Sequence, residues 1–398
     1  MLTSQPTALN ARQSASIPAF SLARQYEAIR DEIQAAIDGV MGSQHFIGGP
    51  ALDEFEAEAA RFLGVSAVIG CASGTDALWL ALQAAGVGPG DAVLTTPFSF
   101  FASASSIARC SARPVFADSD PATLNLDPAS AESLLKKPGA ASIKAILPVH
   151  LYGQCADMSE FLRLGETFGV SVVEDAAQAF GARWRDRMAG SLGRAAAFSF
   201  YPTKNLGAYG DGGCVTTNDA EMATHLRRLR NHGSSRRYYH EEFGWNSRLD
   251  ALQAAILRVK LGHLNDWNNQ RRAIAARYTA ALEQSGLAMK GSVRPDDKAP
   301  ITALTVRPEA FHIFHQYVVR AYRRDELRAF LSERGIGTEV YYPVPLHLQQ
   351  AFQYLGYANG DFPEAERASA EALALPMFPE LREDEQQRVV AAVAEFYS

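Results

Sequence analysis

Cysteine and long apolar runs are both scarce in this sequence, and each scarcity excludes a class of protein. Only 4 cysteines occur in 398 residues, and no two of them form a CxxC pair. Cysteines so far apart argue against a zinc site and against a disulfide framework. No run of about 18 apolar residues occurs that could span a membrane, and the segment 1–18 lacks the apolar centre of a signal peptide. We therefore expect a cytoplasmic protein with reduced thiols, no bound metal and no membrane segment.

An excess of basic residues and a dinucleotide-binding fingerprint are also missing. The chain carries 38 Lys+Arg against 44 Asp+Glu, which gives a formal charge of −6. Such a charge provides no long-range attraction to nucleic acid or to an anionic membrane, so an anionic ligand must be held by local groups. No GxGxxG follows a predicted strand, which disfavours a dinucleotide. Nucleic acid and membranes are therefore not expected as partners.

The sequence does contain an alternation of short β-rich runs with helical patterns. Its 398 residues, 47% of them hydrophobic, can bury a large core, and a chain of this length is expected to form two domains. The alternation predicts βαβ units around a mostly parallel sheet. We predict a large domain over 1–255, including N-terminal amphipathic helices, and a smaller α+β domain over 256–398. The β-rich runs are AVIGC, AVLTT, PVFAD, KAILPVH, VSVVED, AAFSF and GCVTT.

The stretch CASGTDALWLALQAAG is a candidate anion site. It places Ser73, Gly74 and Thr75 where a predicted strand passes into a helix. Backbone N–H groups, a hydroxyl and the helix dipole converge at such a junction, which suits a phosphate. Serine and threonine before a helix are also ordinary N-caps, so the stretch alone leaves both interpretations open.

Two further strand ends carry polar or charged side chains. In VVEDAAQAFGA an apolar strand is predicted to end at Asp175, and a helix that carries Gln178 is predicted to follow. Such a carboxylate can simply cap the helix. In AFSFYPTKNLGAYGDGG, Ser199 lies at a strand end and Lys204 is the only cationic residue. Burial would lower the pKa of that amine from about 10.4 and leave a nucleophile able to form a Schiff base. A surface lysine is the alternative.

Together these features are the parts required to hold pyridoxal phosphate. The junction would bind the phosphate, and the strand-end aspartate would keep the pyridine nitrogen protonated. The protonated ring can then accept the electrons that are released when a bond at the substrate carbon breaks. The combination favours a cofactor site over the separate structural interpretations.

The chain also resembles, over nearly its whole length, the DegT/StrS family of nucleotide-sugar aminotransferases. Several long motifs in one order are far more specific than any single motif. The resemblance implies an α/β fold of the aspartate aminotransferase type (fold type I), with a mostly parallel seven-stranded sheet in the large domain. The motifs that carry it are SGTDAL, TTPFSFFASASSI, EDAAQAFGA, SFYPTKNLGAYGDGG, LRNHG, NSRLDALQAAIL and VYYPVPLHLQ.

The resemblance implies cofactor roles for the matching positions. Lys204 would form the Schiff base, Asp175 would pair with the pyridine nitrogen, and Gln178 would contact the ring hydroxyl. The phosphate would be held by Gly74, Thr75 and Ser199.

Two other segments are expected to complete the cofactor site. Phe100 would stack on the ring, with the adjacent Phe101 as the alternative. The irregular segment 231–248 is long for a loop without a function, and the resemblance implies that its Asn246 reaches the phosphate of the neighbouring subunit. The smallest active unit that we expect is therefore a homodimer with shared active sites.

Three residues fall in stretches that the family places near the sugar or the amino donor: His315, Tyr342 and His347. Packing and ordinary hydrogen bonding are the alternative for each of them. Many relatives have histidine where this chain has Phe180. The resemblance implies that this position lies close to the cofactor site, so the difference bears on which carbon of the sugar carries the keto group and not on the reaction type.

The resemblance implies an aminotransferase that moves an amino group from L-glutamate to a keto group of a nucleotide-linked hexose, for amino-sugar and polysaccharide biosynthesis. The cofactor would alternate between pyridoxal 5′-phosphate and pyridoxamine 5′-phosphate. A 3-keto sugar carried by UDP or dTDP is preferred, and a 4-keto sugar is the alternative. Two other classes compete. One is a deoxygenating branch with histidine in the lysine position, against which Lys204 argues; the other is a regulatory protein that binds the cofactor without turnover.

Overall fold

The computed structural model describes residues 16–398, in which helices and strands alternate along the chain. The α-helices are α1 (Ala23–Ser43), α2 (Pro50–Leu63), α3 (Gly74–Ala84), α4 (Phe101–Arg109), α5 (Pro128–Leu135), α6 (Met158–Phe168), α7 (Ala220–Leu229), α8 (Ala251–Gln284), α9 (Arg324–Glu333), α10 (Pro363–Glu371) and α11 (Glu383–Tyr397). The strands are β1 (Ala67–Cys71), β2 (Ala92–Thr95), β3 (Arg113–Phe116), β4 (Ile143–Ile146), β5 (Ser171–Asp175), β6 (Arg183–Trp184), β7 (Arg187–Met188), β8 (Ala195–Ser199), β9 (Gly213–Thr217), β10 (Ser234–Arg236), β11 (Tyr239–His240), β12 (Ile301–Ala303), β13 (Ala310–Phe311), β14 (Tyr317–Ala321) and β15 (Ala372–Leu375).

Several helices begin where a short polar side chain can cap them. Asp127, Asp157, Asp219 and Asp250 each accept a hydrogen bond from a backbone N–H in the first turn of the helix that follows. Such a cap satisfies a donor that has no partner inside the helix, and its loss typically costs about 1 kcal/mol. The helix starts are therefore encoded locally.

Seven strands form the central sheet, in the order β1-β9-β8-β5-β4-β2-β3. Strand β9 is antiparallel to β1 and β8, and the other neighbouring pairs are parallel. These strands coincide with the seven β-rich runs of the sequence, so the predicted mostly parallel sheet is confirmed. The carboxyl ends of β5 and β8 lie side by side, with Asp175 paired in register with Ala197. Open α/β sheets bind their ligands at this edge.

Helices cover both faces of the central sheet. On one face α2, α6 and α8 bury Phe55, Phe161 and Leu264, and on the other face α3 and α7 bury Leu80 and Leu226. Truncating a buried leucine to alanine typically costs about 2–5 kcal/mol. Packing on both faces therefore fixes the position of the sheet and of its ligand-binding edge.

A second core surrounds the antiparallel sheet β12-β14-β15. Helix α8 joins the two cores, because Leu257 in its first half packs under the central sheet and Tyr278 in its second half packs in the second core. Ile17 also belongs to the second core. The boundary at residue 255 stays a prediction, since this one continuous helix runs through it.

Among residues 16–398, no helix combines the length and the apolar character needed to cross a bilayer. The prediction about a signal peptide falls on 1–18, and residues 1–15 lie outside the described part of the chain. The cytoplasmic location stays a prediction. The four thiols are buried and free.

Candidate active site

Asp175 lies at the carboxyl end of β5 and is only 3% exposed. Its carboxylate accepts a hydrogen bond from the hydroxyl of Ser103 at 2.7 Å and another from the backbone N–H of Ala177 at 3.2 Å. Burial raises the pKa of this carboxyl, whereas the two hydrogen bonds and the charge of Lys204 oppose the rise. The side chain is therefore buried, oriented and close to a cation.

Lys204 lies in the turn that follows β8, where its backbone N–H donates to the carbonyl of Tyr201 at 2.8 Å. Part of the side chain is open to solvent, yet the amine lies deep among protein atoms. Burial lowers the pKa of this amine to about 8, and the charge of Asp175 opposes the shift. The neutral fraction at pH 7 is then about one in ten, against roughly one in three thousand for an ordinary lysine. Within residues 16–398 the amine has no hydrogen-bond or ion-pair partner.

The amino end of α3 packs directly against the carboxyl end of β8. A Cβ added at Gly74 would lie 2.4 Å from the Cβ of Ser199, so this close approach requires glycine. Ser73 is an N-cap, because its hydroxyl oxygen accepts a hydrogen bond from the N–H of Asp76 at 3.1 Å. The other N–H groups of the first turn have no partner within the helix. They lie at the positive end of the helix dipole, where Thr75 and Ser199 are also found. This junction suits an anion.

Gln178 lies in the turns that follow β5, so the helix predicted there is wrong. Its side chain connects the sheet edge to the segment that precedes α10. Its Oε1 accepts a hydrogen bond from the backbone N–H of Tyr152, and its Nε2 donates to the hydroxyl of Tyr342 at 2.9 Å. Burial, and after it the charge of Asp175, raises the pKa of the Tyr342 hydroxyl. The structure therefore brings Tyr342 together with Gln178 and Asp175.

Phe100 and Phe101 have different surroundings. Phe100 is 56% exposed, and its ring centre lies 6.2 Å from that of Tyr342. The ring of Phe101 lies 5.3 Å from that of Phe352, which in turn contacts Phe116. Of the two alternatives, Phe100 is the one beside Tyr342.

His315 ends a hydrogen-bond chain whose direction is fixed. Asn268 donates from its Nδ2 to a backbone carbonyl, so its Oδ1 accepts from Nδ2 of Asn205 at 2.6 Å. Oδ1 of Asn205 is left to accept from Nδ1 of His315 at 3.1 Å, and Nε2 of the neutral ring therefore carries a lone pair. Burial, followed by the charge of Lys204, lowers the pKa of this imidazole. His315 is thus a neutral neighbour of Lys204.

His347 has other partners. Its Nε2 lies 3.1 Å from the carboxylate of Glu366, and its ring packs 4.8 Å from that of Phe362. Among the residues that the structure describes, its hydrogen bonds and ring contacts do not include Lys204 or Asp175. A substrate role for His347 stays a prediction.

Phe180 points into the core of the large domain. Its ring lies 5.7 Å from Phe62, 4.9 Å from Phe198 and 5.9 Å from Phe200. The sequence suggested a position close to the cofactor, but the side chain is 4% exposed and packs with the hydrophobic core. No contact in the described chain supports an influence of Phe180 on the keto position.

Asn246 is exposed and belongs to the segment 231–248, which contains the antiparallel pair β10 and β11 and is not irregular throughout as the sequence suggested. The next residue, Ser247, donates to the carboxylate of Asp76 at 2.6 Å, which anchors the segment beside the amino end of α3. Elsewhere the segment exposes large aromatic rings, with Tyr238 78% and Phe243 94% exposed. A cluster of this kind is typical of a surface that contacts another protein.

The sequence did not single out two buried polar residues that support Asp175. Ser103 reaches it from α4, and His150 donates its backbone N–H to the carbonyl of Asp175 at 2.9 Å. The ring of His150 accepts from a backbone N–H at Nδ1 and donates from Nε2 to Glu174 at 2.9 Å. Strand alternation predicts that Glu174 faces away from Asp175, but nothing in the sequence indicated which serine of α4 would face the sheet.

These groups fit pyridoxal phosphate. The junction at Gly74 suits a phosphate, the buried carboxylate of Asp175 suits a protonated ring nitrogen, and the unpaired amine of Lys204 suits an aldehyde. All three lie along one edge of the central sheet.

Comparison with known proteins covers nearly the whole chain. A family model described as the DegT/DnrJ/EryC1/StrS aminotransferase family matches residues 27–394. A protein of Geobacillus stearothermophilus named pleiotropic regulatory protein is 51% identical, over 96% of this chain and 99% of its own length. The dTDP-3-amino-3,4,6-trideoxy-alpha-D-glucose transaminase of Streptomyces venezuelae is 43% identical, over 96% of each chain.

A solved structure is similar over the same range. The crystal structure of S. venezuelae DesV in complex with a ketimine intermediate matches with a TM-score of 0.90 and 42% identity. The match covers 97% of this chain and 99% of that one. The likeness therefore includes the strand ends and the turn described above.

Proposed function

We propose a function on the basis of one finding, which is that the chain belongs to the DegT/DnrJ/EryC1/StrS aminotransferase family. It is a pyridoxal-phosphate-dependent aminotransferase with the aspartate aminotransferase-like fold. Its reaction transfers an amino group to the keto group of a nucleotide-linked sugar. The proposal adds L-glutamate as the amino donor and amino-sugar biosynthesis as the purpose.

A 3-keto hexose carried by dTDP or UDP is the proposed acceptor. The S. venezuelae relative is named for a 3-amino sugar, which supports this choice. The contrast between Phe180 and histidine does not contribute, because that ring packs in the core. A 4-keto sugar is the alternative.

The observation that carries the proposal is an unpaired amine of lowered pKa next to a buried carboxylate at the ligand-binding edge of the sheet. When bound, the cofactor supplies an electron-accepting ring that stabilises negative charge at the substrate carbon. The residues proposed to hold it are Asp175 at the ring nitrogen, Gln178 at the ring hydroxyl, Phe100 at the ring face, Lys204 at the aldehyde, and Gly74, Thr75 and Ser199 at the phosphate.

Lys204 is proposed to act as the base once its amine is released. Its Nζ takes the proton from the α-carbon of the amino donor, and in the second half-reaction it returns a proton to the sugar carbon. A pKa of about 8 keeps a useful fraction of the amine neutral near pH 7. Asp175 is proposed to stay ionised throughout, and Tyr342 and His315 are proposed to hydrogen-bond a substrate.

A homodimer is the proposed active unit, with Asn246 completing the phosphate site of the partner. The exposed aromatic rings of the segment 231–248 support a protein contact at this surface. Mixing Lys204→Ala chains with Asn246→Ala chains provides the test. Each variant alone should bind cofactor poorly or fail to react, whereas the mixed dimers should regain part of the activity. Failure to regain it, together with a monomeric mass in solution, would contradict the shared site.

A regulatory protein without turnover is the second candidate, because the G. stearothermophilus relative is named for regulation. The two candidates differ in one half-reaction. An aminotransferase converts bound pyridoxal phosphate to the pyridoxamine form when L-glutamate is added, and a sensor does not. The absorbance of the bound cofactor reports the conversion directly.

The decisive experiment offers the pyridoxamine-loaded protein a panel of 3-keto and 4-keto nucleotide sugars. We expect a 3-keto sugar to regenerate the aldehyde form of the cofactor, as seen by absorbance and by mass spectrometry of the amino sugar. Lys204→Ala is the matched control and should react with none of them. Regeneration by 2-oxoglutarate but by no sugar would overturn the proposed acceptor.

A further inference from the structure

A chain of two serine hydroxyls ends on Asp175. The Oγ atoms of Ser99 and Ser103 are 2.8 Å apart, and Oγ of Ser103 lies 2.7 Å from Oδ2 of Asp175. Ser99 precedes α4 and Ser103 lies in its first turn. Both side chains are buried, at 3% and 1% exposure. The chain is therefore sealed from bulk water within the protein.

The direction of these hydrogen bonds follows from the charge of Asp175. An ionised carboxylate can only accept, so the hydroxyl of Ser103 must donate its single proton to it. The oxygen of Ser103 is then free to accept a hydrogen bond from Ser99. Both hydroxyls thus point their protons towards Asp175, and such aligned hydrogen bonds strengthen one another.

Ser103 differs in this respect from Ser106, one turn further along the same helix. Ser106 donates to the carbonyl of Ala102 at 2.7 Å, the usual bond of a serine inside a helix to the preceding turn, and its hydroxyl also lies 3.3 Å from the carbonyl of Thr75. Ser103 instead reaches across to β5. Both serines are buried to the same degree, so burial alone does not explain the bond to Asp175.

The other groups that face Asp175 cannot hold it ionised at every stage. Lys204, from the turn after β8, is the nearby cation, but its charge disappears whenever its nitrogen is unprotonated, either as the free amine or as an imine. His150, from the segment after β4, donates the N–H of its ring to Glu174 and not to Asp175. The neutral hydroxyl of Tyr342 accepts from Gln178 and makes no hydrogen bond to Asp175 among residues 16–398. Only the hydroxyl of Ser103 and the N–H of Ala177 remain as constant donors among the described residues.

We propose that Ser103, oriented by Ser99, is a positioning residue that keeps Asp175 ionised and in one orientation while the charge of Lys204 changes during turnover. The inference rests on the proposed function, in which Asp175 faces the ring nitrogen. Burial favours the protonated form of Asp175, and a protonated acid cannot hold a protonated ring nitrogen. The hydrogen bond from Ser103 therefore stabilises the form that the reaction needs.

The test measures how pH changes the binding of pyridoxal phosphate to the apo form, which does not depend on turnover. In Ser103→Ala the pKa of Asp175 should rise, so binding should weaken about ten-fold near pH 7 and progressively more towards pH 5.5. Ser103→Thr keeps the hydroxyl and should restore the native pH profile. Ser99→Ala should give a smaller shift in the same direction.

Ser106→Ala is the matched control, because it removes a buried hydroxyl of the same helix whose partners are the carbonyls of Ala102 and Thr75 and not the carboxylate of Asp175. Its pH profile of binding should coincide with that of the native protein. A native profile in Ser103→Ala, or an equal shift in Ser106→Ala, would overturn the role of Ser103. Asp175→Asn distinguishes failure of the role of Ser103 from failure of the proposed cofactor site. If Asp175→Asn leaves cofactor binding and its pH profile intact, the proposed site fails as well. If Asp175→Asn has a large effect and Ser103→Ala has none, only the role of Ser103 is overturned.

Discussion

Two lysines of this chain share a lowered pKa and differ in their surroundings. Burial lowers the pKa of Lys204 and of Lys260 to about 8 in each case. The amine of Lys260 donates to the carbonyl of Gly207 at 2.6 Å and lies 4.7 Å from the ring centre of Tyr209. The amine of Lys204 has no such partner among residues 16–398. A lowered pKa therefore does not by itself identify the reactive lysine.

The acids near the two lysines differ as well. Asp175 is held by hydrogen bonds from α4 and from its own turn, and it faces Lys204 at the end of a strand. The charge of Glu380 opposes the lowering of the pKa of Lys260 by burial. Glu380 is also close to the charges of Arg271 and Arg24, which lower its own pKa. The pair of Asp175 and Lys204 leaves an amine available to react, whereas the contacts of Lys260 hold α8 against the surrounding segments. The predictions below test this distinction.

The largest effect is expected from Lys204→Ala. Without the amine there is no covalent link to the cofactor and no base, so turnover should fall by about 10⁴-fold. The visible absorbance of a lysine-linked cofactor should also disappear. Lys260→Ala is the control and should retain that absorbance. Retained turnover in Lys204→Ala would refute the assignment of the reactive lysine.

The next effect concerns the acids. Asp175→Asn removes the negative charge opposite the ring nitrogen, and turnover should fall by about 10²-fold or more. The paired change Glu380→Gln alters the acid near Lys260 and should change turnover less than about ten-fold. Steady-state kinetics with L-glutamate provides the measurement. Equal losses of turnover in Asp175→Asn and Glu380→Gln would contradict a catalytic role that is specific to the acid near Lys204.

The two amines should also differ in reactivity towards a small acylating reagent. Only the neutral amine reacts, so a pKa of about 8 means that labelling of Lys204 in the apo form should rise with pH and level off above about pH 8. An ordinary lysine continues to gain reactivity up to about pH 10.5. Lys260 has the same pKa but is 1% exposed, so it should be labelled several-fold more slowly. Peptide mass spectrometry after brief acetylation distinguishes them, and equal rates would contradict the difference in access.

Much of the fold could be predicted because its signals are local. Seven β-rich runs became the seven strands of the central sheet, and strand ends in a parallel sheet necessarily share an edge. This geometry is why Asp175 and Lys204 could be paired from the sequence. The orientation of Phe180 could not be predicted, since it lies in a turn without a repeating pattern. The domain boundary could not be located, because one continuous helix, α8, packs in two cores.

The partners of the site residues were harder to predict than the residues themselves. Ser103 reaches Asp175 from 72 positions away, and Tyr342 reaches Gln178 from 164 positions away. No local spacing encodes these contacts, which depend on how α4 and the smaller domain pack against the sheet. Lys260 shows the same limit, since the sequence places it on a helix but does not indicate that its amine supports the stretch after Lys204.

The smallest effect is expected from Lys260→Met, and it should be on stability rather than on chemistry. The change leaves the buried carbonyl of Gly207 without its donor, which costs about 1–3 kcal/mol, while removal of a desolvated charge offsets part of the loss.

The folded pKa of Lys260, about 8, is below the unfolded value of about 10.5. Between these values the unfolded chain binds more protons, so this lysine makes the native protein more stable as pH rises. The stability gap between native protein and Lys260→Met should therefore widen from pH 7.5 to pH 9.5, by about 1 kcal/mol per pH unit. Urea unfolding at the two pH values measures it, and a gap that narrows would mean that the amine of Lys260 is not desolvated in the folded chain.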